Sequence, residues 1–177
     1  TMPNNLNDFK STALKMGGAR ANLFEVEGSI GGQTDADLLK FLCKSASIPA
    51  SNMGEIPIPW RGRTFKIPGD RTFDDWELTI ISDAAYDLRQ KFEQWNSEFQ
   101  QHQSNVSSVK DISTNNFMDW KIYWLDREGN RAREYTFVGC WPKTVGAIDV
   151  AFDNNDSLAE FTVTMSYQWW TSPGTDS

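Results

Sequence analysis

The residues of this chain that could act in catalysis are few and lie far apart. His102 is the only histidine, and Cys43 and Cys140 are the only cysteines. A catalytic triad or a Cys–His dyad needs a base beside its nucleophile, and a zinc site needs closely spaced Cys and His ligands. Because His102 stands alone in a polar stretch, the sequence predicts no catalytic residue, no metal site and no cofactor. We expect both cysteines to be reduced thiols.

Two carboxylates suggest an alternative function, in which the chain would bind or hydrolyse a carbohydrate. Asp75 and Glu77 fall on one face of a predicted strand, and a pair of carboxylates can perform glycoside hydrolysis. Together with exposed tryptophans as sugar platforms, they would fit a carbohydrate-binding β-sandwich or a glycosidase. We favour a structural interpretation, because an outward strand face is where charged side chains ordinarily lie.

The composition describes a folded, acidic chain. Its formal net charge is −7, its calculated pI is about 4.7, and 13% of its residues are aromatic. A protein that binds nucleic acid through its phosphates needs clustered Lys and Arg. The excess of acidic over basic residues in this chain does not favour such binding. No apolar stretch reaches membrane-spanning length, so we expect no membrane anchor. The eight tryptophans are numerous, and we expect several of them to face another subunit.

The elements that would position these residues are mainly β-strands. Apolar and polar residues alternate in most of the chain, whereas Ala85, Leu88, Phe92, Trp95 and Phe99 form one helical stripe. We predict strands over 22–30, 38–46, 73–82, 120–124, 133–141, 148–152 and 161–169. The sequence therefore predicts a flexible arm (1–20), one domain (21–171) and a tail (172–177). The domain would be an antiparallel β-sandwich or small barrel, with the helix across one opening.

The segment 48–69 differs from the rest. It contains Pro49, Pro57, Pro59 and Pro68, and proline is excluded from central strands because it cannot donate to the ladder. Its apolar residues do not suit a solvated loop, so we predict an edge hairpin that docks on another surface. The candidate subunit-interface residues are Ile56, Ile58, Trp60, Arg71 and Asp74. We expect Arg71 to bind a carboxylate, since Arg pairs with carboxylates in a bidentate manner.

Several stretches together resemble one known family. They are Gly69-Asp70-Arg71-Thr72-Phe73-Asp74-Asp75-Trp76, then Ala84 to Phe92 with Trp95, Asn22 to Val26, Cys43-Lys44 to Pro49, Gly139-Cys140-Trp141-Pro142 with Val145-Gly146, and Phe161 to Thr164. In order and spacing they resemble the tail tube proteins of contractile-tailed bacteriophages. The turn at 31–37 and the linker at 100–116 look longer than is usual in that family, and we expect both to be decorations on the outer side of the tube.

The resemblance implies a fold and a function. The fold would be like that of tail tubes and type VI secretion tubes, and the subunits would form hexameric rings that stack into the inner tube of the virion tail. The implied partners are further copies of the chain, the tail sheath protein, and the baseplate and tail terminator proteins. Assembly would occur in the bacterial host cytoplasm. A tube of a phage-derived injection or secretion device remains an alternative.

Such a tube would let DNA pass without specific binding. We therefore expect a lumen with more carboxylates than Lys and Arg, since a basic lining would bind phosphates in every ring. The outward strand residues that could line it are Glu25, Glu27, Asp75, Glu77 and Asp149, and not all of them can face one channel.

Overall fold

A computed structural model describes residues 22–31, 42–83, 87–99, 116–148 and 158–175. These residues form nine β-strands and one α-helix. The strands are β1 (Phe24–Glu27), β2 (Cys43–Ala46), β3 (Ser51–Trp60), β4 (Arg63–Phe73), β5 (Trp76–Ile81), β6 (Met118–Leu125), β7 (Arg131–Val145), β8 (Glu160–Ser166) and β9 (Trp169–Thr171). The helix is α1 (Asp87–Phe99). The prediction of a mainly β fold with one helical stripe is confirmed.

Seven strands share one antiparallel arrangement, in the order β1-β6-β7-β8-β5-β2, with β9 pairing β7 as well. Strand β7 belongs to both layers of this sandwich. Its first part pairs β6 and β9, and its last part, from Trp141 onwards, pairs β8. The change of layer occurs near Gly139, whose φ of 67° is a conformation that favours glycine. Strands β3 and β4 form a separate two-stranded sheet.

The core lies between the two layers. Trp76 of β5 stacks on Phe137 of β7 with ring centroids 4.2 Å apart, and meets the edge of Trp120 of β6 at 5.9 Å. All three are fully buried. Gly28 passes so close that a Cβ there would lie 2.3 Å from the Trp120 ring. Burying each large apolar side chain stabilises the fold by about 1.5–3 kcal/mol, so this cluster fixes how the layers pack.

Helix α1 packs on the core with the face that the sequence predicts. Leu88, Phe92 and Trp95 are buried, and the Trp95 ring lies parallel to that of Trp120 at 6.5 Å. The side chains of Asn96 and Arg89 donate to the main-chain oxygens of Pro142 and Gly146, at 2.8 and 2.9 Å. The helix therefore lies along β7 and supplies donors to its carbonyl groups.

Three strand boundaries differ from the sequence predictions. β5 begins at Trp76 rather than at residue 73, because Phe73 ends β4 of the hairpin. β7 continues through Pro142, where a shift in register between Pro142 and Thr144 accommodates the missing N–H. The last predicted strand is divided into β8 and β9, because the chain crosses from one layer to the other at 167–168.

Some predicted elements lie outside the described residues. They are the arm (1–20), most of the linker (100–116), Ala85, residues 38–41 and residues 149–152. Ile148, at the start of the predicted strand 148–152, is described and is not in a strand.

Candidate functional site

The β3–β4 hairpin is the most conspicuous surface feature of the described chain. Its strands join through Arg61 and Gly62, which have φ values of 44° and 80°. Two central residues with positive φ make the tight turn that matches the natural twist of a hairpin. All ten residues of β3 are exposed. The prediction that the proline-marked segment forms a hairpin is therefore confirmed, and it extends to Phe73.

One face of the hairpin is apolar. Ile56 lies opposite Ile67, Ile58 lies opposite Phe65, and Trp60 follows on the same face two residues further on. We call these five residues the apolar face. Four of them are largely exposed: Ile56 at 49%, Ile58 at 43%, Trp60 at 67% and Phe65 at 64%. Soluble monomeric proteins rarely expose a contiguous apolar surface of this kind.

The opposite face of the hairpin is polar or carries proline. Glu55 and Lys66 form an ion pair of 2.7 Å, and Pro57, Pro59 and Thr64 lie on the same side. The prolines take no part in a larger sheet, because β3 pairs only with β4. This arrangement explains how an apolar segment can contain prolines, because neither strand of the hairpin has to donate N–H groups to a third strand.

The root of the hairpin is fixed to the sandwich. The Phe73 ring lies 6.0 Å from that of Tyr167 and 6.3 Å from that of Trp170. The Tyr167 hydroxyl donates to the main-chain oxygen of Asp74 at 2.8 Å, and Asn52 donates to the Asp74 carboxylate at 3.0 Å. The hairpin therefore projects from a rigid base. Asp74, a predicted interface residue, lies at that base.

The hairpin arginines have few partners within the chain. Among the described residues, no ion pair forms at Arg61, Arg63 or Arg71. Arg61 lies over the Trp60 ring at 5.5 Å. Two of the nearby carboxylates have other partners: Asp74 accepts from Asn52, and Asp75 binds Lys143 at 2.6 Å. The predicted pairing of Arg71 with a carboxylate would therefore involve another subunit, and it stays a prediction.

The predicted lumen carboxylates lie on two different outward faces. Glu25 and Glu27 of β1 bind the Arg131 guanidinium at 3.2 and 3.3 Å, and Arg131 in turn covers the Tyr123 ring at 3.7 Å. Asp75 and Glu77 belong to the other layer. Because the two layers pack through their inner faces, these outward faces point in opposite directions. Asp149 lies outside the described residues.

The face around Glu77 carries the Glu77 carboxylate and two ion pairs, Asp75–Lys143 and Lys44–Glu160. Glu77 is exposed on β5, opposite Thr164 of β8, and its neighbours on these strands are Thr79 and Thr162. Lys44 of β2 binds Glu160 at 2.6 Å. Short hydroxyl side chains thus separate the charged groups of this face, whereas the Glu25 face combines an arginine with an aromatic ring.

The groups with reactive side chains form no evident site. Burial raises the pKa of the Cys43 thiol to about 12 and raises that of Cys140 as well, so both thiols stay protonated. Within the described ranges, no three His, Cys, Asp or Glu side chains gather as a metal site requires. His102 lies outside them. No helix in this part of the chain is long and apolar enough to cross a membrane.

Comparison with known proteins agrees with the family resemblance. Residues 7–172 match the family model described as phage tail tube protein. The chain belongs to the phage tail tube protein family. It is 34% identical over 152 residues to the tail tube protein gp19 of Enterobacteria phage T4, covering 86% of this chain and 90% of that protein. It is also 29% identical over 126 residues to the tail tube protein of Serratia phage KSP90, covering 71% of this chain and 70% of that one.

Solved structures share the fold at low sequence identity. A chain in the anti-feeding prophage baseplate is 12% identical, with a TM-score of 0.66 over 90% of this chain and 98% of its own. A chain in the sheath/tube terminator structure of the extracellular contractile injection system PVC is 14% identical, with a TM-score of 0.64 over 88% of this chain and 96% of its own. At these identities the likeness concerns the fold alone.

Two features of the hairpin were not predicted from the sequence. One is the Arg61-Gly62 turn, although a glycine between two short alternating apolar stretches is a signal for one. The other is that Phe73 anchors the hairpin rather than starting β5. Because Arg71 and Thr72 are both polar, alternation gives no signal that the strand continues to Phe73.

Proposed function

We propose that the chain is a structural virion protein that assembles with copies of itself into hexameric rings, stacked as the inner tail tube inside a contractile sheath. The observation that carries the proposal is the exposed apolar face of the β3–β4 hairpin. Family membership supports the tail tube assignment. The hairpin supports self-assembly, since an isolated subunit leaves its apolar face in water.

The hairpin is the proposed contact with a neighbouring subunit or ring. Ile56, Ile58 and Trp60 would bury their exposed surface there, each contributing up to about 1.5–3 kcal/mol. Every subunit of a ring repeats the contact by symmetry, so the contributions multiply across the ring. Arg71 would bind a carboxylate of the neighbour, and Asp74 would support the interface from the hairpin root.

The channel is proposed to be weakly acidic and to conduct DNA without binding it. Of the two outward faces, that of Glu77 suits a lumen better, because threonine hydroxyls and lysines already paired with carboxylates bind phosphate groups only weakly. The face of Glu25 and Glu27 suits a lumen less well, since Arg131 and Tyr123 could contact both phosphates and bases. Asp75 would then lie near the channel and Glu25 on the outer wall.

The remaining partners follow from the same proposal. The tube would end at a baseplate and a tail terminator, and the sheath would surround its outer wall. The chain would be part of the virion tail after assembly in the host cytoplasm. A tube of an injection device shares the fold. The phage tail is favoured because the relatives at 34% and 29% identity are phage tail tube proteins.

We further propose that the chain is not an enzyme. The Asp75 carboxylate binds Lys143, and burial raises the pKa of the Cys43 and Cys140 thiols so that both stay protonated. A glycosidase or sugar-binding module would use Asp75 and Glu77 and would work as a single subunit. Turnover of a glycan that is lost in Asp75→Asn would contradict the proposal.

Negative-stain microscopy of the purified chain, with Trp60→Ala beside it, tests the self-assembly. We expect rings or tubes for the wild type, and a folded monomer without tubes for Trp60→Ala. Thr64→Ala is the matched control, because Thr64 lies on the opposite face of the same hairpin, and it should still assemble. A wild type that stays monomeric at every concentration and binds glycans would overturn the proposal.

A further inference from the structure

The layer of strands that carries Glu77 has basic residues at only two positions. Its strands run in the order β7-β8-β5-β2, so the last part of β7 forms one edge of the layer and β2 forms the other. Lys143 lies on β7 and Lys44 on β2. The strand residues of this layer, counting β7 from Trp141, include no other Lys or Arg. Each edge therefore carries one lysine.

Both lysines occupy the same kind of position in their strands. The register of β2 against β5 shifts between Cys43 and Ser45, on either side of Lys44. The register of β7 against β8 shifts between Pro142 and Thr144, on either side of the second lysine. Each lysine is therefore the extra residue of a β-bulge, which is a position that redirects a side chain.

Each lysine extends over the neighbouring strand to a carboxylate on the strand beyond it. The Lys44 Nζ crosses β5 and lies 2.6 Å from the carboxylate of Glu160 on β8. The Lys143 Nζ crosses β8 and lies 2.6 Å from the carboxylate of Asp75. Since neighbouring strands are about 4.8 Å apart, each ion pair spans about 10 Å of the face. The pairs lie at opposite ends of β5, because Glu160 is paired with its last residue and Asp75 comes just before its first.

These ion pairs determine the charge that the face presents. Asp75, Glu77 and Glu160 are opposed by the two lysines, which gives −1, and without Asp75 and Glu160 the same face would carry +1. The paired side chains are half-exposed, so the pairs contribute little to the stability of the subunit. A phosphate group that approaches either lysine, however, also meets its carboxylate well within the screening length of about 8 Å. The carboxylate offsets much of the attraction between the ammonium group and the phosphate.

From this arrangement we propose that Asp75 and Glu160 are the residues that keep DNA from binding in the channel, because each neutralises a bulge lysine that would otherwise contact phosphates. The inference rests on the proposed channel function, with the face of Glu77 as its lining. It makes the position of a carboxylate more important than its charge. Glu77 forms no ion pair among the described residues, so its removal changes the net charge by the same amount and exposes no lysine.

The experiment measures how much of a short, fluorescently labelled DNA duplex sediments with assembled tubes, between about 50 and about 200 mM NaCl. Wild-type tubes should retain no duplex above background at the higher salt concentration. Asp75→Asn tubes should bind the duplex at least about tenfold more tightly than Glu77→Gln tubes at the lower one, although both substitutions remove one negative charge. This binding should weaken steeply with salt, because phosphate contacts release counterions.

Further variants test the lysines directly. Asp75→Asn/Lys143→Gln removes both members of one ion pair, and its tubes should retain no more duplex than those of the wild type. Glu160→Gln and Glu160→Gln/Lys44→Gln repeat the comparison at the other end of β5, far from the hairpin root that a substitution of Asp75 could disturb. The single variant should retain duplex and the double variant should not.

Equal retention by the Asp75→Asn and Glu77→Gln tubes would contradict the inference, since overall acidity would then suffice, and the tube function would be unaffected. Retention by neither Asp75→Asn nor Glu160→Gln tubes would contradict it as well. Nuclease digestion shows where retained duplex lies, because duplex inside the tube is protected. Retained duplex that nuclease removes would place the face of Glu77 on the outer wall and reject the inference. A wild type that forms no tubes would reject both the proposed assembly and this inference.

Discussion

Trp60 and Trp76 belong to consecutive parts of the chain and have opposite environments. Both lie on strands in which apolar and polar side chains alternate. Trp76 is fully buried between Phe137 and Trp120, while 67% of Trp60 is exposed. The same alternation of side chains thus occurs in a buried strand and in an exposed hairpin. The apolar side chains of β5 pack against other strands of the same chain. The apolar face of the hairpin has no partner among the described residues.

The two tryptophans should separate subunit stability from assembly. Trp76→Ala removes the stacked centre of the core and should destabilise the subunit by about 3–5 kcal/mol. Trp60→Ala should change the subunit's free energy of unfolding by less than about 1 kcal/mol, as is usual for exposed positions. Urea denaturation of dilute protein measures both. Similar losses of unfolding free energy in the two variants would mean that Trp60 belongs to the subunit's own core, as Trp76 does.

The hairpin root should show an intermediate effect, because it joins the two environments. Tyr167→Phe deletes the hydroxyl that donates to the Asp74 main-chain oxygen at 2.8 Å but keeps the ring against Phe73. We expect a loss of about 0.5–1.5 kcal/mol in unfolding free energy. We also expect faster amide hydrogen exchange in β3 and β4, with little change in β5. Equal acceleration in β5 would mean that Tyr167 supports the whole sandwich rather than the hairpin root.

The smallest effect is expected at the other tight hairpin turn, between β6 and β7. The Asp126 carboxylate accepts from the main-chain N–H groups of Asn130 at 2.9 Å and Glu128 at 2.8 Å. The hydrogen bond from Asn130 is the main reason that the pKa of Asp126 is lowered. A lowered pKa in the folded state stabilises the protein above the ordinary carboxyl pKa, and this contribution disappears as pH falls through the folded value.

Asp126→Ala should therefore be slightly less stable than the wild type at pH 7, and the difference should shrink below about pH 4. Thermal unfolding across this pH range measures it. The Arg61-Gly62 turn has no such carboxylate. The difference in stability between Arg61→Ala and the wild type should therefore not vary with pH in that range. A difference for Asp126→Ala that is constant with pH would show that the turn does not depend on the ionised carboxylate.

Much of the architecture could be predicted from the sequence. The alternation in 22–30 and 120–124 predicted strands that the structure contains, and that in 161–169 predicted β8 although not its separation from β9. The helical spacing of Leu88, Phe92 and Trp95 predicted the buried face of α1. The hairpin could also be predicted, since prolines among apolar residues exclude a central strand. These signals are local, because side-chain direction in a strand or helix follows from backbone geometry alone.

Other features depended on contacts between distant residues. The sequence did not show that β7 joins both layers through Pro142, that the chain crosses between β8 and β9, or that Phe73 belongs to the hairpin. Nor did it show that Glu25 and Glu77 point in opposite directions, or that Lys66 is paired while Arg61, Arg63 and Arg71 are not. Alternation specifies that a residue faces one side of its strand. Only the packing of one layer against another decides whether that side is buried in the core or exposed on the surface.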